Sequence, residues 1–308
     1  MTTQRQKTAF VTGAASGIGK SLTLELVSRN YKVFANDINV EGLKTLAEAH
    51  PDNIIIHKLD VTKLEDIQEN YKFVKEELTK IADDGIPKLD LLYNNAGIAC
   101  IFPLIEVPDD AALQILTINL YAPIRITKIF SDLVINAKGT IAFTGSVTKD
   151  VAFPFLGMYT TSKSGLKAYC STLAFEMEPF DVKVIHVTSG SVRSNIGDKR
   201  PWAEDSYYSS TPELKESLEV RKQMFNKTIP METDAYAKSV ISKIENASLS
   251  TFNLYEGSSC FILTVMGNWI PRSWMLFILR KQMKLNEAWE SLRRKIRSDG
   301  TADTKKTK

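Results

Sequence analysis

Cysteine and histidine are scarce in this chain, three of each in 308 residues, and their scarcity excludes whole classes of protein. Cys100, Cys170 and Cys260 show no metal-ligand spacing and, being odd in number, cannot all pair. No disulfide framework is expected, and a reducing compartment is the simplest setting. His50, His57 and His186 fall one to a segment, which predicts no metal site. Residues 1–7 are polar, so no signal peptide is expected. Asn226-Lys227-Thr228 and Asn246-Ala247-Ser248 match the glycosylation pattern, but a cytosolic domain would not meet the modifying enzyme. Aromatic and basic residues nowhere interleave on a nucleic-acid motif, and no nucleic-acid partner is expected. There is no internal repeat, and low complexity is confined to the charged tail 301–308.

What the chain does have is apolar material, 44% of its residues, in a regular order. Short β-rich runs at 8–12, 32–35, 53–57, 89–93, 139–143 and 182–187 alternate with helical periods. Such alternation predicts parallel βαβ units, an α/β fold of the Rossmann-type doubly wound kind. Residues 1–257 are an ordinary size for one such domain, leaving 258–308 as a C-terminal hydrophobic and basic extension. The first strand runs into Thr12-Gly13-Ala14-Ala15-Ser16-Gly17-Ile18-Gly19, ahead of an amphipathic stretch at 20–29. Strand, glycine turn and helix start in that order place a pyrophosphate on a helix N-terminus.

Tyr159 and Lys163, four apart, share one helix face, with Ser146 thirteen positions upstream at the end of an apolar strand. A free tyrosine has a pKa of about 10, and a neighbouring ammonium and a cationic nicotinamide ring both favour its phenolate. Tyr159 is thus a candidate to exchange a proton with a carbinol or carbonyl oxygen, which Ser146 would also hydrogen-bond.

These features, with Asp60-Val61, Asn94-Asn95-Ala96-Gly97 and Asn119, resemble the short-chain dehydrogenase/reductase family over roughly residues 5–257. The resemblance implies that Asn119, Ser146, Tyr159 and Lys163 form a catalytic tetrad, Asn119 holding a water that links Lys163 to solvent and Lys163 binding the nicotinamide ribose. It implies that Asp60 and Val61 meet the adenine and that Gly13, Ser16, Gly17, Ile18, Gly19, Asn95, Ala96, Gly97, Gly190, Val192 and Ser194 line the dinucleotide site. Within the family the chain is similar to the fungal reductases of 1-acyl-dihydroxyacetone phosphate, through 88–97, 137–140, 153–155, 198–201 and 234–238.

Two departures stand out. The usual Pro-Gly-x-Val-x-Thr after the sixth strand reads Ser189-Gly190-Ser191-Val192-Arg193-Ser194, which keeps a hydroxyl at Ser194 but predicts a looser turn without the proline. After the second strand comes Asn36-Asp37-Ile38-Asn39, where NADP-dependent relatives carry arginines. An acid about twenty positions past the glycine loop bonds a ribose 2'-hydroxyl and repels a 2'-phosphate, so Asp37 favours NAD(H), while the resemblance keeps NADP(H) open. The alternative role for Asp37 is to cap the next helix.

The net charge of +3 hides a basic tail: from Arg280 to Lys308 ten cations face four acids. Before it, residues 260–279 are apolar but broken by Pro271-Arg272. Two apolar halves with Trp269 and Trp274, followed by basic residues, fit shallow insertion into one leaflet. A flap over the substrate mouth and a subunit contact in a homo-oligomer are the alternatives. The resemblance suggests the cytosolic face of the endoplasmic reticulum or of lipid droplets. Phe102, Phe153 and Phe155 are candidates to wall an apolar substrate cavity, with Lys199 and Arg200 as candidates for a phosphate headgroup or merely a solvated turn. Acyl-dihydroxyacetone phosphate, a steroid, a retinoid or another long-chain carbonyl would suit such a cavity. A non-catalytic, nucleotide-bound membrane scaffold is the contrasting class, against which the complete tetrad speaks.

Overall fold

The structure, a computed structural model, describes residues 5–194, 196, 200, 202, 205–227 and 229–298. The first half alternates β1 (Thr8–Thr12), α1 (Gly17–Ser28), β2 (Lys32–Asp37), α2 (Val40–Ala49), β3 (Ile54–Lys58), α3 (Leu64–Lys80) and β4 (Leu91–Asn94). The second half continues with α4 (Asp109–Leu116), α5 (Ala122–Ala137), β5 (Thr140–Thr144), α6 (Gly157–Met177), β6 (Lys183–Ser189), α7 (Pro212–Lys227), α8 (Thr233–Glu245) and β7 (Asn253–Glu256). Three helices close the described chain: α9 (Cys260–Trp269), α10 (Arg272–Gln282) and α11 (Leu285–Ser298). The strands form one parallel sheet in the order β3-β2-β1-β4-β5-β6-β7. Strand order reverses beside β1, and the crevice at the carboxyl ends there is where such sheets hold ligands.

Alternation along the strands builds two cores, one on each face. Ala9 and Val11 point toward Leu22 and Leu26 of α1 and Val240 and Ile241 of α8, whereas Phe10 and Leu92 point toward Phe130 of α5 and Leu166 of α6. Burial on both faces explains why these strands read as continuous apolar runs. The short edge strand β7 went unread in the sequence because only Leu254 among its four residues is buried.

The apolar stretch 260–279 divides as expected at Ile270-Pro271. Pro271 has φ near −52° and stands at the N-cap of α10, and its missing N–H cannot continue α9. Among the described residues no helix is long and apolar enough to cross a membrane. The two helices instead fold back on the sheet domain, where Met275 and Leu279 bury against Val151, flanked by Phe153, Leu263 and Met266.

Candidate active site

A cleft of about 2040 Å³ opens at the carboxyl ends of the central strands. That exceeds the roughly 300–1,000 Å³ of a site for one small ligand, leaving room for a dinucleotide and a long substrate together. Every dinucleotide residue expected from the sequence lines it, as do Ser146, Tyr159, Lys163, Phe153 and Arg200.

Ser146, Tyr159 and Lys163 converge on it, and Asn119 is buried behind the lining next to Gly97. Ser146 follows β5 and caps a short 3₁₀ turn, its Oγ accepting from the Thr148 N–H at 3.2 Å and the Thr148 hydroxyl at 3.1 Å. With both acceptor positions engaged, its own proton is left for the Tyr159 oxygen, to which it is hydrogen-bonded. Lys163, one turn beyond Tyr159 on α6, donates to the Thr144 carbonyl at 2.7 Å and stands 5.8 Å from the Tyr159 ring centroid. Asn119 sits in a π-helical turn, Thr117–Tyr121, that α4 and α5 flank. Its amide closes a pair of 2.9 Å bonds with Ile98, accepting from the N–H and donating to the carbonyl, and donates to Ser162 Oγ at 3.2 Å. Ser162, unflagged by sequence reasoning, donates in turn to the Tyr159 carbonyl at 2.7 Å. A small hydroxyl three residues after the tyrosine was the only available signal.

Burial pushes the Tyr159 phenol above its ordinary value, against the pull of the Ser146 hydrogen bond, so the protein's own groups hold it protonated. Burial also lowers Lys163 to about 8. Directed at the Thr144 carbonyl, the ammonium does not offset the desolvation of the phenol.

The dinucleotide cradle is built from backbone. Gly13 and Gly17 adopt positive φ, and a Cβ on Gly19 would lie 2.0 Å from the Gly13 carbonyl oxygen. Ser16 caps α1 without a side-chain hydrogen bond, and the first turn carries no acid, so its amides are free of competition for an anion. These features fit a bound pyrophosphate. Asn95 does more bracing than its expected role required. Its Nδ2 donates to the Thr12 carbonyl at 3.1 Å, and its Oδ1 accepts from Thr144 at 3.0 Å. Thr12 Oγ1 accepts from the Asn95 and Ala96 amides at 3.0 Å each. One cross-brace thus ties the ends of β1, β4 and β5.

Asp37 Oδ2 accepts from the Ala15 amide at 3.0 Å and Oδ1 from the Asn39 amide at 2.9 Å, which holds the carboxylate beside the glycine loop. Asn39, not Asp37, caps α2, accepting from the Gly42 N–H at 3.2 Å. Asp60 Oδ1 accepts from the Thr62 amide and hydroxyl at 3.0 and 2.7 Å. These bonds, with Lys63 and Lys58, hold its carboxyl below the usual value against burial.

The turn after β6 is not loosened by the absent proline. Ser189 Oγ lies 2.6 Å from the buried Tyr236 hydroxyl, and bridges from Ser191 to Ser258 and from Val192 to Met231 pin the segment. Two aromatic expectations also need correction. Phe102 packs inward with Cys100 and Ile115, under the Arg200 guanidinium 5.4 Å above its ring. Phe155, at φ 68°, anchors a cluster with Trp202, Tyr208 and Trp289 at 5.1, 5.7 and 6.4 Å. Both support the wall from behind. The lining instead comes from Ile98, Ile101, Leu156 and the α9–α10 residues Leu263, Met266 and Leu279. Lys199 lies outside the described residues.

The chain belongs to the short-chain dehydrogenase family, whose model, described as short chain dehydrogenase, matches residues 7–204. It is 38% identical over 294 residues to the NADPH-dependent 1-acyldihydroxyacetone phosphate reductase of Saccharomyces cerevisiae, covering 95% of this chain and 96% of that one. A short-chain dehydrogenase of Aspergillus ruber is 32% identical, covering 94% of this chain and 98% of its own. The fold matches a solved short-chain dehydrogenase from Streptomyces avermitilis with a TM-score of 0.72 at 23% identity, over 95% of this chain and 98% of that chain. The protein is therefore an oxidoreductase that uses a nicotinamide dinucleotide.

Proposed function

We propose that the protein reduces 1-acyl-dihydroxyacetone phosphate, or a closely similar lipophilic ketone, to the corresponding alcohol, lysophosphatidate in the former case, as a step of glycerolipid synthesis. The observation that carries this reading is the convergence of Tyr159, Ser146 and Lys163 on a cleft whose outer wall is apolar. When bound, the nicotinamide supplies a hydride to the carbonyl carbon. Tyr159 donates its phenolic proton to the carbonyl oxygen, and the Ser146 hydroxyl proton turns from the Tyr159 oxygen to hold that carbonyl oxygen. Lys163 balances the resulting phenolate until solvent restores the proton. Arg200 and Lys215 line the substrate side, while the lining acids Asp37 and Asp60 belong to the adenosine side. That polarity favours an anionic head on the substrate.

Asp37 supports NADH as the reductant. Its carboxylate is held beside the glycine loop, where an acid would bond a ribose 2'-hydroxyl and repel a 2'-phosphate, and its neighbour Ile38, 62% exposed, offers no cation to a 2'-phosphate. The yeast relative is an NADPH-dependent reductase, which pulls the other way. The apolar α9–α10 segment and the substrate's partition into lipid support a place on the cytosolic face of the endoplasmic reticulum or of lipid droplets.

The test is a cofactor-oxidation assay of the full chain with 1-acyl-dihydroxyacetone phosphate, a steroid ketone, retinal and a neutral long-chain ketone, each with NADH and NADPH. The acyl phosphate should have the highest kcat/KM. Preferential turnover of the steroid or retinal would redirect the reading to those substrates.

A further inference from the structure

α9 and α10 are apolar on two sides. Leu263, Met266, Met275, Ile278 and Leu279 face inward and line the cleft. Phe261, Ile262 and Trp269 on α9 are 73%, 62% and 82% exposed, and Trp274 and Phe277 on α10 are 69% and 65% exposed. At about 100° per residue the two groups occupy adjacent arcs of each helix, one turned to the cleft and one to solvent. A surface helix ordinarily turns charged residues to water on the side away from the core. Residues 260–282 carry only Arg272, Arg280 and Lys281, and no acid.

We infer that this outer face docks on an anionic phospholipid surface, so that the two helices are at once the membrane contact and the acyl-chain wall of the cleft. The charge selects this occupant. Arg272, Arg280 and Lys281 are exposed beside the apolar face, and Arg293, Arg294, Lys295 and Arg297 are exposed on α11. Two copies meeting through such a surface would oppose like charges, whereas anionic headgroups complement them. Exposed tryptophans next to cations are the side chains that settle at headgroup depth. The hairpin also sits directly on the active-site loop. A Cβ on Gly267 would lie 2.5 Å from the Asp150 carbonyl oxygen, four residues past Ser146, and Val151 packs against Met275 and Leu279. Docking therefore fixes the cleft against the leaflet, and a chain leaving the lipid meets Leu263 and Met266 rather than water. The inference deepens the lipid-ketone reading above and rests on it for the fate of that chain.

The experiment uses the full chain, the variant Trp269→Ser/Trp274→Ser/Phe277→Ser, and the charge variant Arg280→Glu/Lys281→Glu. Flotation is measured with phosphatidylcholine vesicles with and without phosphatidylserine, alongside NADH-dependent turnover of a short water-soluble ketone and of a vesicle-borne long-chain ketone. The unmodified protein should float with the serine-containing vesicles. Both variants should float about tenfold less or weaker still, with short-ketone turnover retained and vesicle-borne turnover reduced. Failure of the unmodified protein to float, or equal flotation of the charge variant, overturns the inference even if the triple variant does not fold. A dimer that the substitutions dissociate, in place of vesicle binding, overturns it too. Vesicle binding without turnover of any lipid ketone leaves the docking surface standing and refutes the substrate reading alone.

Discussion

The two ends of the cleft are built by different physics. At the dinucleotide end, position is set by backbone and short hydrogen bonds: Thr12 and Asn95 join three strand ends, Asp37 holds the Ala15 amide, and glycines allow close approach. At the substrate end, α9 and α10 present apolar side chains, and the wall is held by apolar contact with Val151 and Phe153. Hydrogen bonds fix direction and distance, as a pyrophosphate and a hydride require, whereas dispersion and burial tolerate changes of shape. The first end therefore dictates the chemistry, and the second is free to dictate what is processed.

The most severe way to break this division is at the point where the ends meet. Tyr159→Phe keeps the ring and removes the proton donor, so turnover should fall by about 100-fold or more while the dissociation constant for NADH changes little. Steady-state kinetics with fluorescence titration of NADH checks it, and near-normal turnover would remove Tyr159 from the mechanism. Next in size is the dinucleotide end alone. Asp37→Ala with Ile38→Arg removes a repulsive carboxylate and supplies a phosphate partner, and the NADH-to-NADPH ratio of kcat/KM should move toward NADPH by about tenfold or more. An unmodified protein that already strongly prefers NADPH would defeat the assignment of Asp37.

The pH dependence sharpens the comparison, because Lys163 belongs to the buried polar end. Its folded pKa, near 8, is lowered from 10.5 by burial. The ammonium that balances the phenolate is therefore lost as pH rises through about 8, and kcat/KM for reduction should decline there. The same shift means that the unfolded chain binds more protons between about 8 and 10.5. Lys163 thus disfavours folding below its folded pKa, and this effect is relieved as pH rises across that window. Denaturant unfolding at several pH values separates this stability effect from the kinetic one. The smallest effect is expected from Tyr236→Phe, which removes the bond to Ser189. Loss of about 1 kcal/mol of stability is expected from one buried hydrogen bond. A modest rise in KM for NADH should accompany it, since that bond helps hold the turn before Gly190. Chemical denaturation and KM measurement test both parts.

Much of the dinucleotide end was legible in the sequence because it depends on local backbone requirements. Gly13, Gly17 and Gly19 occur where only glycine serves, and Tyr159 and Lys163 share a face through the helical period alone. The bracing by Ser162, Thr12 and Thr144 was not legible, because a threonine in a strand or a serine in a helix carries no periodic signal until its partner is brought across the sheet. The same limit explains Phe102 and Phe155. Their aromatic composition marked a substrate wall, but Trp202, Tyr208 and Trp289, distant in sequence, draw Phe155 behind the lining.

By itself, then, the sequence determined the parallel αβ order, the glycine cradle and the break at Pro271, since each follows from steric limits on a few neighbouring residues. Only the tertiary structure decided that α9 and α10 return to wall the cleft, that burial raises the Tyr159 pKa, and that Tyr236 bonds Ser189 in the turn where a proline is missing. Burial and desolvation depend on what the whole chain brings to a point, and no local pattern encodes that sum.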